Sequence, residues 1–173
     1  AYNAQNYIEK CLNSLVIQKT TYKYEIIVVN DGSTDCTLSL IRSIQCDFLR
    51  VIDKPNGGIA SARNVGIENA SGEYLIFCDS DDYMDVNAVQ CLLDMARKTD
   101  SDIVEGAYCY VSELGKRGHV VRHGKNKGSK QAETFGVPWC KCIRRSLFRD
   151  ICFPQYWFED SIIHQIILPR AKK

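Results

Sequence analysis

The sequence has almost no net charge, few histidines and no long apolar run, and each scarcity removes a class of function. Its 22 Lys plus Arg against 21 Asp plus Glu leave +1, too small a field to suggest nucleic acid as the partner, so charge-driven binding must be local. The longest apolar stretches, residues 26–29 and 74–78, fall far short of the ~18–20 residues of a membrane helix, and no signal peptide is expected. Only three histidines are present, and the C-x-C of Cys140 and Cys142 has no second Cys/His pair at zinc spacing, which argues against a structural zinc. No internal repeat or linker divides the 173 residues, so one domain is expected, burying roughly 70% of the surface its unfolded chain exposes. Cysteine, by contrast, is plentiful: nine, an odd number, scattered along the chain. They read as mostly free thiols in a reducing compartment.

Tyr7, Ile8, Cys11, Leu12, Leu15 and Val16 recur at helical spacing, with Asn3 or Asn6 available as a cap. Residues 24–30 form a β-branched run of the kind buried on both faces of a sheet, stopping at Asp31-Gly32-Ser33. Leu38, Ile41 and Ile44 then mark a helix, residues 48–52 a strand and residues 59–69 a helix behind Asn56-Gly57-Gly58. Residues 74–78 form a strand ending at Asp79; Val86, Val89, Leu92, Leu93 and Ala96 mark a helix, and residues 102–106 a short strand. This alternation predicts an α/β fold with a mostly parallel, doubly wound sheet. It stops after residue 106. Residues 115–130 carry six Lys/Arg, four glycines and no acid. They read as an exposed loop or hairpin, either simply solvated or acting as a lid over an acceptor. From Trp139 onward the chain reads as helical again, with Ile162, Ile163, Ile166 and Ile167 forming a stripe after Glu159-Asp160.

Ligands of open α/β sheets bind beyond the carboxyl ends of the strands. Two such ends carry acids here: Asp31, and the cluster Asp79-Ser80-Asp81-Asp82. A D-x-D turn sets two carboxylates close together, an arrangement that suits Mg²⁺ or Mn²⁺ while leaving positions for phosphate oxygens. The plainer alternative is that Asp81 and Asp82 cap the following helix.

The stretches AYNAQNYIEKCLNSL, EIIVVNDGSTDCT, KPNGGIASARNVGIENASGEYLIFCDSDDY, VPWCKCIRRSLF and FPQYWFED resemble, in order and over nearly the whole chain, the motifs of glycosyltransferase family 2. The resemblance implies a Rossmann-like GT-A fold, a nucleotide-sugar donor (a UDP-sugar, with thymine or guanine as alternative bases) and a divalent Mn²⁺ or Mg²⁺ at the D-x-D. It also implies sugar transfer with inversion to a saccharide or lipid-linked saccharide hydroxyl, as in surface polysaccharide synthesis. Residues 1–106 then form the donor half and 107–173 the acceptor half, at the cytoplasmic face of a membrane, with peripheral association. By position, Tyr2 and Asn3 match residues near the nucleoside, and Asp31 the acid that reads the pyrimidine. Arg63 and Asn64 match residues beside the donor; a guanidinium can grip pyrophosphate bidentately. Asp81 matches the metal ligand, and Asp79 its partner at the ribose and metal. Asp160 matches the base that deprotonates the acceptor, with Glu159 in support and Trp139 bordering the acceptor. Read singly, these residues have plainer explanations: an exposed ion pair for Arg63, core packing for Trp139, helix capping for Glu159-Asp160. His164, four residues beyond Asp160 on the same helical face, could contact a metal or phosphate, although a polar-face histidine is the plainer reading; for Lys54 and Lys141 the sequence leaves open phosphate contact or solvent.

The chain also departs from that pattern. Family members carry a buried apolar strand directly before the Y-N motif, whereas Ala1 begins at the turn after it. The expectation is that residues upstream of Ala1 complete the sheet and that further segments follow Lys173; a covered edge strand at residues 24–30 would contradict it. A rival from outside catalysis is a nucleotide-sugar-binding module without turnover. A phosphohydrolase wants its D-x-D on the first strand followed by Thr or Val, whereas two strands precede this one and Tyr83 follows. A nucleotidyltransferase wants a basic, Gly-rich triphosphate loop near the start, which is missing.

Overall fold

A computed structural model describes residues 1–112, 114–122, 136–155 and 160–172, with the side chain of His164 outside the description. Glu159 and the second half of the basic segment, residues 123–130, therefore lie outside the described residues.

The first half alternates as its apolar pattern dictates. Helix α1 (Ile8–Val16) buries Ile8, Cys11 and Leu12, which sit three and four positions apart on one face. Strand β1 (Ile26–Asp31) is almost wholly buried, as its β-branched run requires. Helix α2 (Thr37–Ser43) leads to β2 (Leu49–Lys54), which pairs in parallel with β1 from Ile26↔Leu49 to Asp31↔Lys54. Helix α3 (Gly58–Asn69) begins directly behind the Asn56-Gly57 turn, and β3 (Tyr74–Ile76) delivers the chain to Asp79. Helix α4 (Ala88–Thr99) ends on Asp100 in the left-handed conformation, φ 46°, and is followed by β4 (Ile103–Glu105).

In the second half, β5 (Tyr108–Val111) pairs with β6 (Arg117–Val121), with a register shift between Cys109 and Val111, so the start of the basic segment takes the hairpin of its two expected forms. The segment after Trp139, expected to be helical, opens instead with a strand, β7 (Lys141–Arg144). It inserts between β3 and β4, antiparallel to both. Its four residues are too short and too charged at their ends to show a strand period, and the two flanking strands bury Lys141, Cys142 and Ile143. Helical structure returns as a 3₁₀ turn (Arg145–Phe148), a π-helical turn (Ile163–Ile167) and α5 (Leu168–Arg170). The mostly parallel sheet expected is thus parallel at β1–β2 and antiparallel around β7.

Between β1 and β3 the sheet is open. Their facing edges pair with no strand among the described residues, and they border a trough of about 310 Å³ lined by Tyr24, Ile26, Ile27, Leu75, Phe77 and Val89. Ala1 takes one rung of the β1 edge: its ammonium donates to Val29 O at 2.7 Å, and Asp31 N donates to Ala1 O at 2.8 Å. The core divides accordingly. One cluster gathers Ile8, Leu12, Ile26, Val28 and Ile41, and another gathers Ile143, Leu147, Phe148, Phe153, Ile163 and Ile167. All nine cysteines are free. No helix among the described residues is long and apolar enough to cross a membrane.

Candidate active site

The first motif and the loop after β1 zip together. Asn3, held at φ 47°, accepts from Thr34 N through Oδ1 at 2.9 Å, while its own N–H donates to Ser33 Oγ at 3.0 Å. Ala4 N donates to Thr37 Oγ1 at 2.7 Å, and Gln5 bonds Asp35 and Cys36. Asn3 is therefore a brace for the loop that follows Asp31. Tyr2, beside it, is exposed. Asp31 N donates to Ala1 O at 2.8 Å, which sets this first motif against the acid-bearing end of β1.

Asp31 is buried and pins the loop that opens α3. Its Oδ1 accepts from Lys54 Nζ at 2.5 Å and from Gly57 N at 3.0 Å; its Oδ2 accepts from Gly58 N at 2.8 Å. The anion held at this helix start is thus the protein's own carboxylate, which satisfies two of the four orphan N–H groups of the first turn. Gly58 needs its φ of +83°, and Gly32, at φ +70°, packs so closely that a Cβ would meet Asn56 N at 2.6 Å. Lys54 is spent on Asp31 and Pro55 O, and Lys141 is buried opposite Glu105 at 2.9 Å. Neither lysine is presented as a free phosphate ligand.

Arg63 joins Asp79 and Asp160. Its guanidinium, on side chain only 7% exposed, donates to Asp160 through Nη1 and to Asp79 through Nη2 at 3.2 Å. It also lies over the Phe153 ring, 5.3 Å from the centroid. Next to it, Asn64 clamps the Phe153 backbone from both sides: Nδ2 donates to Phe153 O at 2.9 Å and Oδ1 accepts from Phe153 N at 2.7 Å. Two neighbours on α3 therefore hold both the end of β3 and the segment that leads to the expected base. Phe153 was not singled out in the sequence; the Phe-Pro that opens the FPQYWFED stretch was its only signal.

Asp79 to Asp82 form a tight turn, with Asp82 N donating to Asp79 O at 3.0 Å. Helix α4 starts only at Ala88, so Asp81 and Asp82 do not cap it. Partial desolvation, then the charges of Asp81 and Asp79, push the Asp82 carboxyl up from the usual range. Crowded carboxylates of this kind are hard oxygen donors whose repulsion a divalent cation relieves, so the donor set fits Mg²⁺ or Mn²⁺. Among the described residues no three His, Cys, Asp or Glu side chains are grouped to hold a metal unaided. Phosphate oxygens and water would have to complete its coordination. Behind the turn, Cys11 Sγ lies 3.8 Å from Cys78 Sγ and 3.5 Å from Asp79 O, a contact with no signal in the sequence.

Trp139 is half-buried, bridges in parallel to Phe77 and meets Tyr108 edge-on, ring centroids 5.0 Å apart. It lies next to the strand that carries Asp79 and forms a wall that continues into the β5–β6 hairpin. Glu159 falls outside the described residues.

A model of the family described as glycosyl transferase family 2 matches residues 1–152. The chain belongs to glycosyl transferase family 2. Glycosyltransferase GlyA of Streptococcus pneumoniae is 40% identical over 115 residues, covering 65% of this chain and 16% of the relative. GlyG of the same organism is 27% identical over 193 aligned positions, 99% of this chain and 64% of the relative. Residues 1–349 of Staphylococcus aureus TarS in complex with UDP superpose with a TM-score of 0.84 at 26% identity, over all of this chain and 54% of that fragment. TarS with UDP-GlcNAc gives 0.83 at 27% identity. The fold is GT-A. The family 2 chain here spans 33% of the TarS chain and 16% of GlyA.

Proposed function

We propose that this family 2 chain transfers a sugar from a UDP-sugar to a hydroxyl acceptor with inversion at the anomeric carbon. The observation that carries the reading is the convergence on Arg63 of Asp79 and Asp160, carboxylates from the donor and acceptor halves. The relatedness to TarS, seen with UDP and UDP-GlcNAc, supports uracil as the base. Tyr2 offers an exposed ring beside the Asp31 loop for the nucleoside, and Asp31 with Asn3 fixes that loop's shape. Asp79 and Asp81 are the residues that hold Mn²⁺ or Mg²⁺. When bound, the cation supplies Lewis-acid stabilisation of the departing diphosphate. Asp160 takes the proton of the acceptor hydroxyl as its oxygen bonds to the anomeric carbon and the bond to diphosphate breaks, its electron pair leaving with UDP. Trp139 covers the apolar face of the acceptor sugar. The acceptor is a saccharide or lipid-linked saccharide of a surface polysaccharide, met at the cytoplasmic face of the membrane.

The test is thermal unfolding with UDP and Mn²⁺ together, each alone, and with excess chelator. A ligand at ~100 times its dissociation constant stabilises by roughly 2.7 kcal/mol, which raises the midpoint of a domain this size by roughly 5–10 °C. The rise is expected only with UDP and Mn²⁺ together and is absent in Asp81→Ala. A rise without release of UDP from any UDP-sugar would favour a binding module without turnover; no rise at all would refute the donor assignment.

A further inference from the structure

Arg63 stands in the family pattern where a donor-diphosphate ligand is expected, yet its observed contacts lie elsewhere. Its guanidinium joins Asp160 on one side and Asp79 on the other, and its face lies against Phe153. Asn64, the next residue, grips the Phe153 backbone through two hydrogen bonds. One turn of α3 thus fixes the acceptor-side segment at Phe153 and again at Asp160, whose side chain is 31% exposed where Arg63 is 7%. A rigid planar cation that is nearly buried and shared by two carboxylates is built to hold geometry. A diphosphate ligand would instead present the guanidinium to the solvent-filled side of the site.

We propose that Arg63 is a positioning residue that acts through Asp160, fixing the base against the donor-side carboxylate Asp79 and keeping it ionised. The inference rests on the reading of Asp160 as the base. In the transfer step Arg63 touches neither the acceptor oxygen nor the anomeric carbon. It holds the carboxylate that receives the acceptor's proton, and a neighbouring cation favours the charged form that can do so.

The experiment uses the whole chain and three variants, Arg63→Gln, Arg63→Lys and Asp160→Asn, each checked for folding by circular dichroism. Calorimetric titration with UDP and Mn²⁺ is expected to give Arg63→Gln an affinity within about threefold of the original chain. A loss of thirtyfold or more would make Arg63 a donor ligand and overturn the proposal. Carbon-detected NMR of the metal-free chain then follows the Asp160 carboxyl, assigned by its disappearance in Asp160→Asn. Arg63→Gln is expected to raise its titration midpoint by about one pH unit, a typical effect of removing an adjacent opposite charge, and Arg63→Lys to restore part of the difference. An unchanged midpoint would also overturn the proposal. Should Arg63→Gln fail to fold, Arg63→Lys carries both measurements, with a smaller midpoint shift expected. If the original chain binds no UDP with Mn²⁺, the donor assignment falls, while the Asp160 midpoint still decides the role of Arg63.

Discussion

Lys141 has no exposed surface and faces Glu105 at 2.9 Å, without an acceptor aligned well enough for a good hydrogen bond. The charge of Glu105 is what tolerates an ammonium there, since an unpaired buried cation is costly. Lys141→Ala is expected to destabilise by about 3–5 kcal/mol, measured by urea unfolding, while Lys141→Met combined with Glu105→Leu recovers most of that loss. Asp82 poses the opposite problem. Its folded-state pKa is raised, so its contribution to stability is fully present below the unfolded value, about 3.9, and is lost as pH rises through the folded value. Asp82→Asn is therefore expected to raise the unfolding midpoint at pH 7, with the gain vanishing near pH 3. Saturating Mn²⁺ should shrink the gain by relieving the same repulsion. At this scale the acids were legible because they stand at strand ends, where the chain turns out of the sheet. Their partners were not. Arg63 and Asp160 lie 97 positions apart, and Asn64 and Phe153 lie 89 apart, separations that leave no trace in local periodicity.

At the scale of elements, helices with a clear apolar stripe and strands with a β-branched run were readable to within a few residues, as α1, α4, β1 and β3 illustrate. Strand β7 was not, because its character comes from the two neighbours that bury it rather than from its own residues. The trough between β1 and β3 follows the same logic from the other side. Two strand edges with apolar walls, and with Ala1 already bonded to one of them, have the chemistry of a place for one more extended strand. Six Val/Ile residues added ahead of Ala1 are expected to raise the unfolding midpoint by several degrees and to slow amide exchange in both β1 and β3. A Gly/Ser extension of equal length is the control, and equal effects from the two would refute the strand reading.

For the whole molecule, the notion of one domain with one core describes the chain's length better than its interior. The cluster around Ile8, Ile26 and Ile41 draws on the first 41 residues, and the cluster around Ile143, Phe153 and Ile163 includes Ala60 of α3, the helix that also carries Arg63 and Asn64. On the proposed function the reacting groups lie beside α3, so its hold on Phe153 and Asp160 sets how firmly base and donor site are registered. The apolar trough between β1 and β3 carries a further consequence. Strand β1 packs in the cluster around Ile26 and β3 flanks the cluster around Phe153, so an extended segment seated between them would tie the two clusters together through main-chain hydrogen bonds, a link independent of α3.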